Sequence, residues 1–325
     1  MKQMNSKAIL ILNTGSPQTK EKKDVEWFIA TMLSDPLVLS APDWYRTILA
    51  KKIIAPLRAS RAASHYDLIW DEANQASPLI YNTQCLAQEL NAQSGLPVEI
   101  AMRYGMPEML EILQRIQADK PRLLDLHVLP MFPQHAQSSY QTAVEELIKT
   151  HKKKYYSFKL KILKPFFKSS PYIKSLATSL KPYTDKAYDK LVFSFHSLPL
   201  DHVQTGKDKG FDFDYEYQIE ETIRLLSEEL DLDTDKNCLV YSSAIGRKWL
   251  KPSLDKTIKS LPRNGAKQII VICPGFPADN LETLYDIDLR ARKIFMNNGG
   301  QEFHFVPGLN SEPYWAKALL EMIGE

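Results

Sequence analysis

What most constrains this chain is an alternation kept up from end to end, in which short and nearly continuous apolar runs are separated by longer amphipathic stretches. The runs Ala8–Leu12, Val98–Met102, Leu123–Leu129, Lys159–Leu163, Leu191–Phe195, Cys238–Tyr241 and Gln268–Cys273 have strand length. Between them, Ser77–Ser94, Pro107–Ala118, Ser138–Lys149, Tyr215–Leu230, Pro252–Leu261 and Leu281–Asn297 are long enough for crossover helices. Strands that are apolar on both faces need cover on both sides, and helical crossovers join them in parallel. The predicted class is doubly wound α/β.

A length of 325 residues suggests two domains at ~150 residues each. Lysine and arginine number 41 against 39 aspartate and glutamate, a net charge of +2, so bulk charge does not mark a nucleic-acid binder. No apolar run approaches the ~18 residues of a membrane span. Ala8–Leu12 is too short for a signal-peptide core and has no small-residue cleavage site after it, so it reads as the first strand. Cys85, Cys238 and Cys273 are far apart and odd in number, as expected for reduced thiols in a cytosol, and cannot supply the four thiolates of an ordinary iron–sulfur cluster.

The two halves echo each other. Strands ending Leu12-Asn13-Thr14-Gly15-Ser16-Pro17 and Phe195-His196-Ser197-Leu198-Pro199 correspond, as do the P-x-F-P turns Pro130-Met131-Phe132-Pro133 and Pro274-Gly275-Phe276-Pro277. We expect two similar α/β halves, residues 1–184 and 185–325, with a cleft between them and the C-terminal helix packing back on the first. From Leu147 to Thr184 there is no acid but there are ten lysines interleaved with aromatic residues. A solvated face with the aromatics turned inward is the preferred reading, and a basic surface for anionic lipid or an acidic ligand is the other.

In open parallel sheets, ligands bind beyond the carboxyl ends of the strands. His196 stands at such an end, where an imidazole can accept a proton or ligate a metal. His127, inside a strand, reads as a core residue. Asp279 and Glu282 have capping-box spacing, so both carboxylates can serve orphan N–H groups at a helix start. Asp286 follows Glu282 at i+4, and two acids on one face beside a histidine equally offer a proton acceptor and hard oxygen ligands for a divalent cation. Arg103-Tyr104-Gly105 follows the second strand, and Arg103 can hold a ligand carboxylate or form an ion pair at the domain rim. Leu37–Ile54 is apolar at helical spacing. Burial in the core is its default, although a flap over a greasy ligand or a shallow membrane contact has the same pattern.

Taken in order, these residues resemble the ferrochelatases, which insert Fe²⁺ into a porphyrin in haem synthesis, most of all the proteobacterial members. The likeness runs from Leu12–Pro17 through Leu33-Ser34-Asp35-Pro36, Pro56-Leu57-Arg58, Tyr66, Ile69-Trp70 and Ser77-Pro78-Leu79. It continues in Met102–Gly105, Leu129–Gln134, Phe193–Pro199, Cys273–Phe276, Ala278–Leu284 and Pro307–Asn310. The resemblance implies two four-stranded parallel halves with a porphyrin cleft between them. It implies that His196 is catalytic, Glu282 is its acidic partner and Asp279 supports the histidine. Thr14, Arg103, Tyr104, Ser139 and Phe276 would face the porphyrin, with Leu37 in an apolar lip, and the iron would meet His196, Glu282 and Asp286. Fe²⁺ and porphyrin are then substrates, with no resident cofactor or iron–sulfur cluster. The expected protein is a cytoplasmic monomer or weak homodimer that touches a membrane at most peripherally.

The chain departs from the family pattern at several places. Ser242-Ser243-Ala244 stands where many members have Gln-Ser-Arg/Lys, Tyr140 is bulky where the family loop is small, Asn280 replaces a frequent cysteine, and Arg290 occupies the place of a third acid one turn past Asp286. The competing readings are a cobalt or nickel chelatase acting on another tetrapyrrole, a haem-handling protein without turnover, and a membrane-surface module using the lysine run.

Overall fold

The computed structural model describes residues 6–325. It contains two four-stranded sheets, parallel throughout. β1 (Lys7–Asn13), β2 (Val98–Met102), β3 (Asp125–Pro130) and β4 (Lys159–Ile162) form the first, in the order β2-β1-β3-β4. β5 (Lys190–His196), β6 (Asn237–Ser242), β7 (Gln268–Ile272) and β8 (Glu302–Phe305) repeat that order as β6-β5-β7-β8. In both, the chain starts in the middle, steps one way and then returns to the other side. This puts a topological switch point between β1 and β3 and another between β5 and β7.

Seven of the eight strands coincide with the expected apolar runs. β8 is the addition: Glu302-Phe303-His304-Phe305 is four residues long with polar residues at alternate positions, and it lies at a sheet edge where one side needs no apolar cover. The central strands are the most buried. β1 exposes only its first residue appreciably, and β5 only its two ends.

Contacts divide the chain into two units. The first comprises the described residues through Met131, with Gln137–Lys164 and Leu319–Glu325, and the second comprises Phe132–Ala136 and Pro165–Ala318. The main boundary thus falls after residue 164 rather than at the expected 184. The intervening helix Ser170–Thr184 packs on β7 and on the helix Tyr215–Glu229, where it buries Tyr172, Ile173, Leu176 and Leu180. Its Tyr172 hydroxyl donates to the Pro274 carbonyl at 2.5 Å. The short excursion Phe132–Ala136 is held by the same helix Tyr215–Glu229. Gln134 Nε2 donates to Thr222 Oγ1 at 3.1 Å, and the His135 N–H donates to Gln218 Oε1 at 2.7 Å.

Local signals account for the helix ends. Ser77 caps Pro78–Ser94, which stops at Gly95 in the left-handed region, and Asp214 caps Tyr215–Glu229. The expected helix Ser138–Lys149 opens as a π-turn over Gln137–Gln141 and runs on as Thr142–Lys154. Leu281–Asn297 becomes a π-helix, Glu282–Ala291, followed by Arg292–Asn297.

The default expectation of burial for Leu37–Ile54 is corrected. In the helices Asp43–Ile48, Leu49–Ile54 and Ala55–Asp67, the inward positions are taken by Arg46, the alanines 50, 55 and 59 and, near the end of the last helix, Tyr66. The large apolar groups turn outward, with Trp44 71% and Leu57 77% exposed and Tyr45, Ile48 and Ile53 also exposed. Small residues let the backbones approach, and the bulky ones are left on the far side. In the lysine run all ten lysines are exposed while Phe158, Phe166, Phe167 and Tyr172 are buried, so the aromatics do face inward except Tyr155. Among the described residues, no helix is long and apolar enough to cross a membrane.

Where β1 and β2 end, their backbones stay paired one step further. The N–H groups of Arg103 and Tyr104 donate to the carbonyls of Asn13 and Thr14, both at 2.8 Å. Gly15 then turns with φ +102°, and a Cβ there would sit 1.7 Å from the Tyr104 carbonyl oxygen. Gly95 also has positive φ, at +67°, but open space around it. Gly15→Ala is therefore expected to destabilise the protein by more than about 3 kcal/mol and Gly95→Ala by about 1 kcal/mol. Denaturant midpoints of the two variants check this, and equal shifts would contradict it.

Candidate functional site

His196 is the last residue of β5, and parallel register sets Ser242, the last residue of β6, directly beside it. The neighbouring strand on the other side, β7, ends at Ile272. The chain then runs through Pro274-Gly275-Phe276-Pro277 to the start of the π-helix at Glu282. Three segments of the second unit thereby leave the sheet at one edge, and their side chains meet. His196 Nδ1 lies 2.8 Å from Glu282 Oε2. The Ser243 hydroxyl donates to that same oxygen at 3.1 Å, and the Ser242 hydroxyl contacts Oε1. Ser243 adopts φ +57°, the left-handed region, at this point of contact. Behind the histidine, the Tyr215 hydroxyl donates to the His196 carbonyl at 3.0 Å.

Glu282 is mostly covered, while the imidazole is 42% exposed. Burial opposes charge on both groups. For His196 the Glu282 carboxylate and its hydrogen bond outweigh that opposition, with Asp286 adding to them, and hold the ring above its ordinary value. For Glu282 the imidazole and the two serine hydroxyls likewise overcome burial and hold the carboxyl below its ordinary range. With a carboxylate on Nδ1, the neutral ring carries its hydrogen there, which leaves the Nε2 lone pair available to a metal ion or a proton.

Asp279 does not support His196 as expected. Its Oδ1 accepts from the Thr283 hydroxyl at 2.9 Å and the Gly308 N–H at 3.1 Å, and its Oδ2 accepts from Asn310 Nδ2 at 2.8 Å. It is a buried tie between two loops, and the histidine's tautomer is set by Glu282. Burial pushes the Asp279 carboxyl above its ordinary value even against those three donors. The expected capping box also shifts by one residue. Asn280 Oδ1 accepts the Glu282 N–H at 2.8 Å while the Thr283 hydroxyl accepts the Asn280 N–H at 3.0 Å. Glu282 is thus released from capping and free to meet His196.

Asp286, one turn along, is engaged by Arg290, whose Nε donates to Asp286 Oδ1 at 2.9 Å and whose Nη1 reaches Asp255. Among the described residues, no three His, Cys, Asp or Glu side chains converge to hold a metal ion. The predicted set His196, Glu282 and Asp286 therefore supplies a converged pair and a third acid held elsewhere. Phe276 is half-buried against the core of the second unit around Val192, Val271 and Ile287.

The other predicted residues belong to the first unit. Arg103 makes an internal ion pair: Nη2 lies 2.5 Å from Asp35 Oδ2, and Nε donates to Thr142 Oγ1 at 2.8 Å. The Tyr104 and Thr142 hydroxyls donate to the same Asp35 oxygen at 2.8 and 2.5 Å, and the Leu37 N–H donates to Oδ1 at 2.8 Å. Thr14, at the end of β1, takes part through its backbone, donating N–H to Asn13 Oδ1 at 2.9 Å. Ser139 lies half-buried in the π-turn beside Tyr140, whose hydroxyl donates to the Leu163 carbonyl at 3.1 Å. Residue-by-residue reading missed Ser242, Tyr215, Asp35 and Thr142 as partners. Ser242 was within reach of the strand-end rule that found His196, whereas the other three become visible only through long-range packing.

Burial alone would raise the Asp35 carboxyl, but Thr142, the Leu37 N–H, Tyr104 and Arg103 together hold it below its ordinary value. A carboxyl depressed by folding stabilises the fold above about pH 4 and loses that contribution as pH falls through its lowered value. Asp35→Asn is expected to cost about 3 kcal/mol at pH 7 and to flatten the loss of stability as pH falls below about 4. Thermal melts of parent and variant across that window check both; an unchanged acid limb would contradict the assignment.

Two doubly wound parallel units with the same strand order, one carrying an imidazole–carboxylate pair at its strand ends, define an α/β protein built to present such a pair at a sheet edge. The structure of SirB from Bacillus subtilis with Fe3+ has this fold. It superposes with a TM-score of 0.56 at 13% sequence identity, covering 98% of this chain and 94% of that one. The ferrochelatase of Porphyromonas gingivalis is 34% identical over 334 residues, covering 98% of this chain and 95% of that protein. The ferrochelatase of Pseudomonas putida strain KT2440 is 33% identical over 340 residues, covering 98% and 99%. The Ferrochelatase family model matches residues 6–325. The chain belongs to the ferrochelatase family.

Proposed function

We propose that the protein is a porphyrin metal chelatase, a lyase that inserts Fe²⁺ into protoporphyrin IX or coproporphyrin III to give haem and two protons. The observation that carries this reading is the His196–Glu282 contact at the end of β5, in a chain that matches the family over its whole described length. Insertion requires the iron to shed water, the macrocycle to pucker so that its nitrogen lone pairs face the metal, and two pyrrole N–H protons to leave. Rigid walls that fit the puckered ring favour the transition-state geometry over the flat substrate. His196 Nε2, with Nδ1 held by Glu282, is the proton acceptor for a pyrrole N–H, and the adjacent carboxylate stabilises the imidazolium that forms. The same nitrogen, before it takes that proton, and the Glu282 oxygens are the ligands that receive Fe²⁺ as substrate; the iron leaves them for the ring nitrogens, and the second pyrrole proton passes to solvent.

Ser242 and Ser243 take a positioning role in this reading, since their hydroxyls fix the plane of the Glu282 carboxylate. Fe²⁺ and porphyrin are the partners, with no resident cofactor and no iron–sulfur cluster. The near-balanced charge argues against nucleic acid, and the site of action is the cytoplasm with at most peripheral contact to a membrane.

Incubating the protein anaerobically with Fe²⁺ and either porphyrin, and following loss of porphyrin fluorescence, tests the reading. The expected result is turnover by the parent, a drop of at least ~10²-fold in His196→Ala and a strong fall in Glu282→Gln with porphyrin binding retained. Variants that bind porphyrin and turn over like the parent would refute the site, and tight binding without turnover in the parent would favour a haem-handling role.

A further inference from the structure

Glu282, Asp286 and Arg290 recur every four residues on the π-helix Glu282–Ala291. Two carboxylates in line are hard oxygen donors, and left alone they would draw a divalent cation along the helix from one to the next. The third member reverses that logic. Arg290 is planar and permanently charged, and two of its three guanidinium nitrogens are engaged by acids: Nε by Asp286 Oδ1 at 2.9 Å and Nη1 by Asp255, from the neighbouring helix Leu254–Ser260. Asp255 matters because it anchors the guanidinium from the far side and stops it swinging away when a cation approaches.

Arg290 and Asp286 are each about one quarter exposed, so their pair is screened less than a surface ion pair and costs more to break. Glu282 has no such partner. Its contacts are an imidazole and two serine hydroxyls, none of which carries a fixed positive charge. We propose that Arg290 is a charge clamp that withdraws Asp286 from the metal ion's path, so that Fe²⁺ on this protein is received by His196 and Glu282 alone. Arg290 touches no substrate and acts through Asp286. The clamp rests on the reading above that Fe²⁺ is the substrate of this site.

Co²⁺ titrated calorimetrically into the full chain without porphyrin, at ~50 mM and ~500 mM salt, tests the clamp apart from turnover. Asp286→Asn is expected to leave the Co²⁺ dissociation constant within about twofold of the parent. Arg290→Gln is expected to tighten it at least ~10-fold, with most of the gain surviving high salt because it comes from ligation rather than a screened field. The double variant Arg290→Gln/Asp286→Asn should return to the parent value. The clamp is overturned if Asp286→Asn by itself weakens binding as much as Glu282→Gln, if Arg290→Gln brings no tightening, or if the gain persists without Asp286. Asp286→Asn keeps the native Arg290, so it decides the question even where Arg290→Gln folds poorly. Loss of Co²⁺ binding in Glu282→Gln bears on the His196–Glu282 reading instead. A parent with no measurable Co²⁺ affinity would count against that reading, while the gain in Arg290→Gln and its dependence on Asp286 would still decide the clamp.

Discussion

His196 and Glu282 meet because β5 lies between β6 and β7 and all three run the same way, so the segments leaving them emerge along one edge of the sheet. Backbone register does the first part of the positioning, placing Ser242 opposite His196. The turn Pro274–Pro277 does the second, carrying the chain from β7 to the helix that bears Glu282. A π-helix starting at that residue changes which side chains share a face, and such helices often mark functional sites. The carboxylate is then fixed by a ring nitrogen and two hydroxyls rather than by a helix cap, because Asn280 has taken over the capping.

The first unit has the same strand order and spends its strand ends differently. Where β2 leaves the sheet, Arg103 and Tyr104 close on the buried Asp35 and Thr142 in an ionic cluster. Four donors on one carboxylate make a rigid corner that joins the segment around Leu37 to the ends of β1 and β2. Two of the Arg103 guanidinium nitrogens are engaged by Asp35 and Thr142, while the second unit keeps a half-exposed imidazole. One topology thus supports two unlike sets of side chains, as expected when chemistry resides in sites rather than in folds.

Much of the fold was legible from periodicity alone. Seven strands and the helices between them follow from apolar runs and amphipathic spacing, because strands of a parallel sheet covered on both faces are built mostly from apolar residues. β8, a four-residue edge strand with Glu302 and His304 at alternate positions, carries no such run. The outward-facing Trp44, Ile48, Ile53 and Leu57 escaped, since helical spacing specifies that residues share a face but not which face is turned to the core. That choice was made by Ala50, Ala55 and Ala59, which permit the closer approach.

For the candidate site, the strand-end rule singled out His196 and Arg103 without any coordinates, and the family likeness paired His196 with Glu282. Their partners were decided by packing. Asp279, Glu282 and Asp286 are three acids within eight residues, alike in charge and spacing, yet one ties loops together, one meets the histidine and one is held by Arg290. The residue types and their order along the chain determined that carboxylates and an imidazole would stand at strand ends. Only the tertiary structure decided which carboxylate faces the imidazole, because a hydrogen bond depends on distance and direction between segments that are 86 residues apart in the chain.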